Sequence, residues 1–445
     1  MLRFLVEIYE RLTSNKLSFD EVASIIQRGD SHKLQEIIDA QQISDINALG
    51  GDPQRNFLTL AYKAGSIECA AVILAYLPEE NAFYNNLHSA CLSENIEMVR
   101  YVIDKGVEIN DQVILRLFEV DEIASNRDIT TLLLEHVKDV NYRYSYSSTL
   151  LICTCKAGNL AAVRMILERG AARDFSCMDG DGLSSASRGG HVDVVKLLLG
   201  WNTERGPIPN NSIKDGMRAA TICNHISIIK LLVEYGADMS ALSWVLFEAV
   251  KQNKVEIAEF LLDKGADYNW ANYDRDTPWS LACFTRSAGL IRLFLARGAD
   301  PNGAIPRGEF PLKAAIFSPE CAKLLLEHGA DPNQYLASGD TILIFIIEAF
   351  RRHGNDAFTL LLGHGADPNL AHATTGLTPL MAAVLATRKS YVKLLLEYGA
   401  DVTQANREGR SLLDTIGQAS NFRDMVELWE PYIESNKPGA KLLLK

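Results

Sequence analysis

The sequence predicts an all-α solenoid, in which helix-turn-helix units repeat and short hairpin-like fingers lie between them. Three observations predict it. A ten-residue phrase with Gly-Ala-Asp at its centre recurs six times, helical apolar spacing precedes each glycine, and turn-forming residues follow it. A length of 445 residues would otherwise suggest about three ordinary domains. Six near-copies at a short period favour the repeat array instead.

Each part of the phrase has a local structural role. Runs such as Leu-Leu-Leu-Glu place apolar residues on one face of a helix. The glycine that follows can end the helix in the left-handed conformation, which costs other residues energy. The Ala-Asp-Pro-Asn type of tail is turn chemistry, because Pro fixes φ and Asp or Asn bonds nearby backbone. These glycines are Gly236, Gly265, Gly298, Gly329, Gly365 and Gly399.

A second helix is predicted 11 to 14 residues after most of these glycines. Its clearest starts are Thr277-Pro278 and Thr378-Pro379, where Thr can cap the helix and Pro occupies its first turn. A short extended loop precedes each start and often holds a second turn residue. Those residues are Asp276, Gly308, Gly339 and Gly376.

These motifs resemble those of ankyrin repeat proteins. The resemblance rests on the Thr-Pro-Leu-Met-Ala-Ala start at 378–383, its relative Asn-Leu-His-Ser-Ala at 86–90, and the middle segment 189–199. Weaker copies extend toward the N-terminus over 56–77, 85–106, 148–170 and 181–202. The resemblance implies about twelve units over nearly the whole chain. We expect an N-terminal helical cap at 1–47 with room for one decayed repeat, an array at 48–403, and a capping repeat and tail at 404–445.

Composition excludes several classes of function. The formal net charge is -12, which disfavours nucleic-acid binding because that needs clustered Lys and Arg. No run of about 18 apolar residues predicts a membrane span. Cysteines without Cys-x-x-Cys spacing are expected to be reduced core residues rather than disulfides or zinc ligands, which suits a cytoplasmic protein. Seven of them lie in helix-like stretches: Cys69, Cys91, Cys153, Cys155, Cys223, Cys283 and Cys321.

Motifs for catalysis or metal binding are weak. The sequence lacks phosphate-loop, metalloprotease, hydrolase-elbow and kinase signatures. The segment 179–182, Asp-Gly-Asp-Gly, resembles the start of a calcium loop but lacks the later ligands, so we interpret it as a finger turn. His88, His191 and His225 fall at repeat positions and are expected to make structural hydrogen bonds. We therefore predict no catalytic residue, no metal and no cofactor.

The fingers carry the strongest candidates for binding. Tyr, Trp and Arg dominate binding energy at protein interfaces, and these residue types are concentrated in finger segments. The alternative interpretation is that half of them pack against neighbouring fingers and only stabilise the array. The candidate partner-binding residues are Trp270, Tyr273, Arg275, Tyr142, Arg143, Tyr144, Tyr146, Phe175 and Tyr335.

Two fingers are predicted to be short. Only 8 residues separate Gly236 from Trp244, where the next helix is expected to begin, and the step from Leu77 to Asn85 has the same length. A missing finger could form a notch for a partner, or it could mark a local change of curvature.

The resemblance implies a non-enzymatic scaffold that binds protein partners through a concave face of fingers and inner helices. Irregular repeats of this kind also resemble those of ankyrin proteins that intracellular bacteria deliver into host cells, which suggests an effector acting on host proteins in the host cytoplasm. Nothing in the sequence indicates a homo-oligomer. The alternative is an enzyme, a hydrolase or a transferase with a sugar or nucleotide substrate, whose site is built on the repeat surface. Cys177, between Asp174 and Asp179, would be its only nucleophile candidate.

Overall fold

The computed structural model describes residues 17–40, 57–76, 83–107, 109–143, 148–172, 180–201, 208–306, 309–349 and 355–412. Within these ranges all regular secondary structure is helical. Extended pairing there consists of isolated bridges, and two antiparallel ones join Ile305 to Glu309 and Tyr335 to Thr341 inside two fingers. Contacts divide the chain into two compact units, residues 1–237 and 238–445.

The described part of the first unit contains helices in pairs, with one short extra helix, α8. The bounds are α1 Phe19–Gln27, α2 Ser31–Asp39, α3 Phe57–Lys63, α4 Ile67–Leu74, α5 Phe83–Cys91, α6 Ile96–Asp104, α7 Asp111–Phe118, α8 Asp121–Ser125, α9 Arg127–Leu134, α10 Leu150–Ala157, α11 Leu160–Glu168, α12 Gly182–Gly189, α13 Val192–Gly200, α14 Asn210–Ile222 and α15 Ile226–Tyr235.

The second unit contains five further pairs in its described part. They are α16 Met239–Lys251 with α17 Val255–Asp263, α18 Pro278–Thr285 with α19 Ala288–Ala296, α20 Pro311–Ala315 with α21 Pro319–Glu327, α22 Ile342–Ala349 with α23 Asn355–Gly363, and α24 Pro379–Leu385 with α25 Lys389–Glu397. The first helix of each pair packs on other first helices, and second helices pack on second helices. The unit therefore has two helical layers.

Leucines of the repeated phrase form the core between the layers. In the second helices of the second unit, Leu261, Leu325, Leu361 and Leu395 are each 0% exposed. Burial of one such side chain stabilises the fold by about 1.5–3 kcal/mol. Alanines and other small residues of the first helices are buried opposite them, which allows neighbouring helices to approach closely.

The helix starts follow the capping rules. The Thr277 hydroxyl accepts the N–H of Ser280 at 3.0 Å, and the Ser280 hydroxyl bonds back to the Thr277 N–H. Thr378 caps α24 by accepting the N–H of Met381 at 3.1 Å. Asp181 caps α12 in the same reciprocal way. Each bond satisfies a backbone donor that the first turn of a helix leaves without a partner.

The helix ends confirm the role predicted for glycine. All six glycines of the repeated phrase have positive φ, between 85° and 117°. At Gly329 the backbone N–H donates to the Leu326 carbonyl at 3.1 Å, and the next N–H, of Ala330, donates to Leu325 at 2.9 Å. This pattern closes the helix and turns the chain toward the next finger.

One helix start was predicted wrongly. The helix after Gly236 begins at Met239 rather than at Trp244, because Asp238 caps it by accepting the N–H of Ala241 at 2.7 Å. The chain thus omits a finger here and lengthens the helix instead. The segment 77–82, which contains most of the other predicted short finger, lies outside the described residues.

The predicted burial of the helical cysteines is confirmed except at one position. Six of the seven helical cysteines are buried, whereas Cys223 is exposed. Cys223 directly follows α14, and its side chain therefore lies beyond the part of the helix that the second-helix layer covers.

Candidate protein-binding surface

An asparagine ladder fixes the bases of the fingers in the second unit. The Asn302 side chain donates to the Gly329 carbonyl oxygen at 2.8 Å and accepts the Asp331 N–H at 2.7 Å. Asn333 and Asn369 make the same two bonds to the repeat that follows each of them. A finger is therefore held at its base by the next repeat, and its tip is presented on a rigid support.

The finger between α17 and α18 has an ordered tip. The Asn272 N–H donates to the Asp276 carbonyl at 3.0 Å, and its side chain accepts the Asp276 N–H at 2.8 Å. The Arg275 N–H donates back to the Asn272 carbonyl at 3.0 Å. At the centre of this closed turn, Tyr273 is 107% exposed. The backbone is thus well bonded while the tyrosine ring contacts solvent.

Arg275 is the residue of this tip whose backbone adopts the left-handed conformation, which favours glycine. Its φ is 66°, and Gly339, Gly376 and Gly409 have positive φ at the equivalent positions of later fingers. The sequence interpretation assigned the turn position to Asp276, one residue too late. A non-glycine residue in this region costs about 1–2 kcal/mol, and such strain concentrates at functional sites.

Trp270 has a mixed environment. Its ring is half-buried and packs edge-on against Phe247 of α16, with ring centroids 6.3 Å apart. This contact anchors the finger to the first-helix layer. Both interpretations of the aromatic fingers therefore apply to Trp270, since part of the ring stabilises the finger and part is accessible.

Tyr335 also contributes to finger packing. Its hydroxyl donates to the carbonyl oxygen of Ala371 in the next finger at 3.2 Å, while 42% of the residue stays exposed. In the first unit, Tyr142 is half-buried and Arg143 is exposed. The remaining candidates, Tyr144, Tyr146 and Phe175, lie outside the described residues.

The histidines of the helix-helix turns are structural. His191 Nε2 lies 2.9 Å from the carbonyl oxygen of Lys156, and His225 Nε2 lies 3.1 Å from that of Arg188. Each bond joins one repeat to the preceding one, as predicted. His88 is half-buried, and burial lowers its pKa below the usual value.

The described residues offer no assembled catalytic or metal centre. Within them, no group of three or more His, Cys, Asp or Glu side chains is placed to hold a metal ion, and none of the described helices has the length and apolar character to cross a membrane. Burial raises the pKa of the Cys91 thiol to about 12, which keeps it protonated and unreactive. Cys177, with Asp174 and Asp179, lies outside the described ranges.

An apolar stripe that was not predicted from the sequence lies at the C-terminal ends of first helices of the second unit and in the turn after α20. Phe317 and Leu385 are 44% and 45% exposed, and Phe345 is half-buried beside Phe317. Phe317 and Leu385 each lie six residues after the proline that begins their helix, as does the half-buried Phe284. Aligning the first helices would have shown this recurring apolar position.

Comparisons with known proteins agree with this architecture. A family model described as "Ankyrin repeats (3 copies)" matches overlapping segments 185–272, 217–305, 246–336, 312–406 and 343–430. The ankyrin repeat and KH domain-containing protein mask-1 of Caenorhabditis elegans is 28% identical over 34% of this chain. The human transient receptor potential cation channel subfamily A member 1 is 24% identical over 45% of it. The matches span only 6% and 18% of those two proteins.

Among solved structures, the ankyrin repeat domain of Bcl-3, described as a unique member of the IkappaB protein family, aligns with a TM-score of 0.41. Its sequence identity is 25%, over 50% of this chain and 99% of that one. The family model alone covers residues 185 to 430, more than half of the chain. The chain belongs to the ankyrin repeat family, whose arrays are protein–protein interaction domains.

Proposed function

We propose that the chain is a non-enzymatic scaffold that captures a protein partner, and that the finger at 267–276 is the centre of its binding surface. The main support for this proposal is that Tyr273 and Arg275 occur together on one finger tip. One side chain is fully exposed, and the other occupies a conformation in which neighbouring fingers use glycine. Folding alone gains from neither feature, whereas an interface gains from both residue types.

The remaining candidate residues extend this surface in two ways. Trp270 and Tyr335 support their fingers and leave part of each ring for a partner. Tyr142, Arg143, Tyr144, Tyr146 and Phe175 would form a second group of finger residues in the first unit. In this proposal the partner occupies the face that the fingers and first helices form within each unit.

The proposal places the protein in a cytoplasm, as the buried reduced cysteines favour. The resemblance to bacterial effectors extends it to a host protein as the partner and to the host cytoplasm as the compartment. A tagged chain expressed in host cells tests this extension, because a cytoplasmic signal and co-purification of a host protein are both expected.

The finger site is tested by the double variant Tyr273→Ser, Arg275→Gly. Both changes remove exposed side chains, and glycine relieves the strain of the left-handed backbone at Arg275, where φ is 66°, so the melting temperature should not fall. Loss of two interface anchors should weaken partner binding by about 2 kcal/mol or more. Affinity capture with mass spectrometry identifies proteins retained by the wild type, and titration of the purified partner gives Kd.

The matched control is Tyr398→Ser with Arg292→Gln. Tyr398 is 43% exposed at the end of α25, and Arg292 is exposed on α19. These residues have the same chemistry but lie on second helices, away from the fingers. Equal affinity of the finger variant and the wild type for the partner, or an equal loss in both variants, would refute the finger site.

A further inference from the structure

The second unit also contains an aromatic–cation patch, defined as Arg286, Lys313, Phe317 and Phe345. The Phe317 and Phe345 rings meet edge to face with centroids 6.2 Å apart. The Arg286 guanidinium carbon lies 4.8 Å from the centroid of Phe317, and Lys313 Nζ lies 5.0 Å from that of Phe345. Two rings are therefore flanked by two cations.

The two cations differ in their pairing. Lys313 Nζ lies 2.9 Å from a carboxylate oxygen of Glu309, so its charge is already matched. Arg286 is exposed, and no carboxylate among the described residues forms an ion pair with it. Its position is nevertheless fixed, since its backbone carbonyl accepts a bond from the Cys321 thiol at 3.2 Å. The patch thus presents one unmatched cation beside an exposed ring.

The surrounding charges argue against a polyanion as the occupant. A phosphate backbone needs several cations in a row, whereas Arg286 is the sole unmatched one in the patch. Glu348 is exposed on α22, one helical turn after Phe345, and would repel a second phosphate on that side. A single carboxylate next to an apolar side chain matches the pattern instead.

We propose that this patch binds a linear segment of a protein partner in which an acidic residue is adjacent to large apolar residues. The carboxylate pairs with the Arg286 guanidinium, which can donate two parallel N–H bonds to its oxygens while stacked on Phe317. The apolar side chains cover the exposed edge of Phe317 and the adjoining face of Phe345. This inference rests on the proposed function and deepens it, because it assigns partner chemistry at a second site in the same unit.

The test uses a fluorescein-labelled peptide with one aspartate before a Phe-Leu pair in a Gly-Ser background, titrated with the full chain by fluorescence anisotropy. Companion peptides carry asparagine or lysine in place of the aspartate. The wild type should bind the aspartate peptide about fivefold more tightly than the asparagine peptide, the size expected for a partly exposed ion pair.

Two variants isolate the guanidinium. Arg286→Asn should abolish the preference for aspartate, and asparagine tolerates the left-handed backbone at φ 56°. Arg286→Glu should reverse the preference, so that the lysine peptide binds more tightly than the aspartate peptide. Such a reversal requires a folded site, and unfolding could not produce it. Arg292→Gln is the matched control and should keep the wild-type preference.

Several results would overturn the proposal. One is absence of saturable binding of the aspartate peptide to the wild type, and another is an aspartate preference that survives Arg286→Asn. Tighter binding of a single-stranded DNA oligonucleotide, lost in Arg286→Asn, would assign the patch to nucleic acid. Dimerisation in sedimentation experiments that Arg286→Asn removes would assign it to a second copy. The finger variant Tyr273→Ser, Arg275→Gly should leave peptide binding intact, so failure of the finger site and failure of the patch are distinguishable.

Discussion

Replacing Gly329 with alanine should lower the free energy of unfolding by about 1 kcal/mol. Gly329 has φ 90°, and a Cβ built there meets no atom within 4 Å. Steric collision with neighbours is therefore absent, and the cost is the left-handed backbone itself, about 1–2 kcal/mol. Part of this cost is offset because alanine reduces the conformational entropy of the unfolded chain by about 0.4–1 kcal/mol.

Gly363 provides a matched control in the next repeat, two residues before Gly365, which is the counterpart of Gly329. It is the last residue of α23, its φ is not positive, and a Cβ there also meets nothing within 4 Å. Gly363→Ala should raise the free energy of unfolding by about 0.5–1 kcal/mol, because alanine favours the helix. The two variants therefore differ by about 2 kcal/mol, although both add one methyl group in open space.

Urea unfolding followed by far-ultraviolet circular dichroism measures the difference. With a slope of about 1–3 kcal/mol/M, the two midpoints should be separated by roughly 1 M. Repeat arrays can unfold in stages, so amide exchange in the fingers on either side of each glycine should accompany the optical measurement. Equal midpoints for the two variants, or a lower midpoint for Gly363→Ala than for Gly329→Ala, would refute the assignment of the cost to backbone conformation.

Two further predictions concern single side chains. In the native protein Cys223 should react with Ellman's reagent at pH 8, whereas Cys91 should react only after unfolding, because it is buried and its thiol pKa is raised to about 12. Peptide mapping by mass spectrometry distinguishes the two cysteines. Modification of Cys91 in the native protein would contradict the prediction. Burial lowers the pKa of His88 from its usual 6.5, so the unfolded chain takes up a proton more readily and stability should fall as pH drops through about 6.5. His88→Gln should flatten the dependence of unfolding free energy on pH in this range, and an unchanged slope would contradict it.

The repeats could be predicted from the sequence because their signals are local. A glycine that ends a helix, or a threonine that caps one, acts on residues within one turn. The helix start predicted at Trp244 is wrong because the usual finger length does not apply there, and Asp238 caps the helix two residues after Gly236. It also placed the turn at Asp276, since an arginine in the glycine position is an unusual choice.

The binding surface was less predictable, because exposure depends on what packs nearby. Tyr273 and Trp270 are similar by residue type and lie three positions apart. One contacts solvent only, and the other packs on Phe247 of a different helix. Tyr335 likewise bonds to a carbonyl 36 residues further along the chain. None of these contacts is encoded in a local pattern.

The sequence by itself therefore determined the repeated helix pair and the capped starts and glycine ends of most helices, since apolar spacing and caps act over a few residues. Only the tertiary structure decided which finger residues remain available and which pack inward. It also brought Arg286, Phe317 and Phe345 of three successive repeats into one patch. The physical reason is that the stacking of repeats places residues about 30 positions apart in contact. The period of the sequence shows that such neighbours exist, but it does not show how their side chains meet.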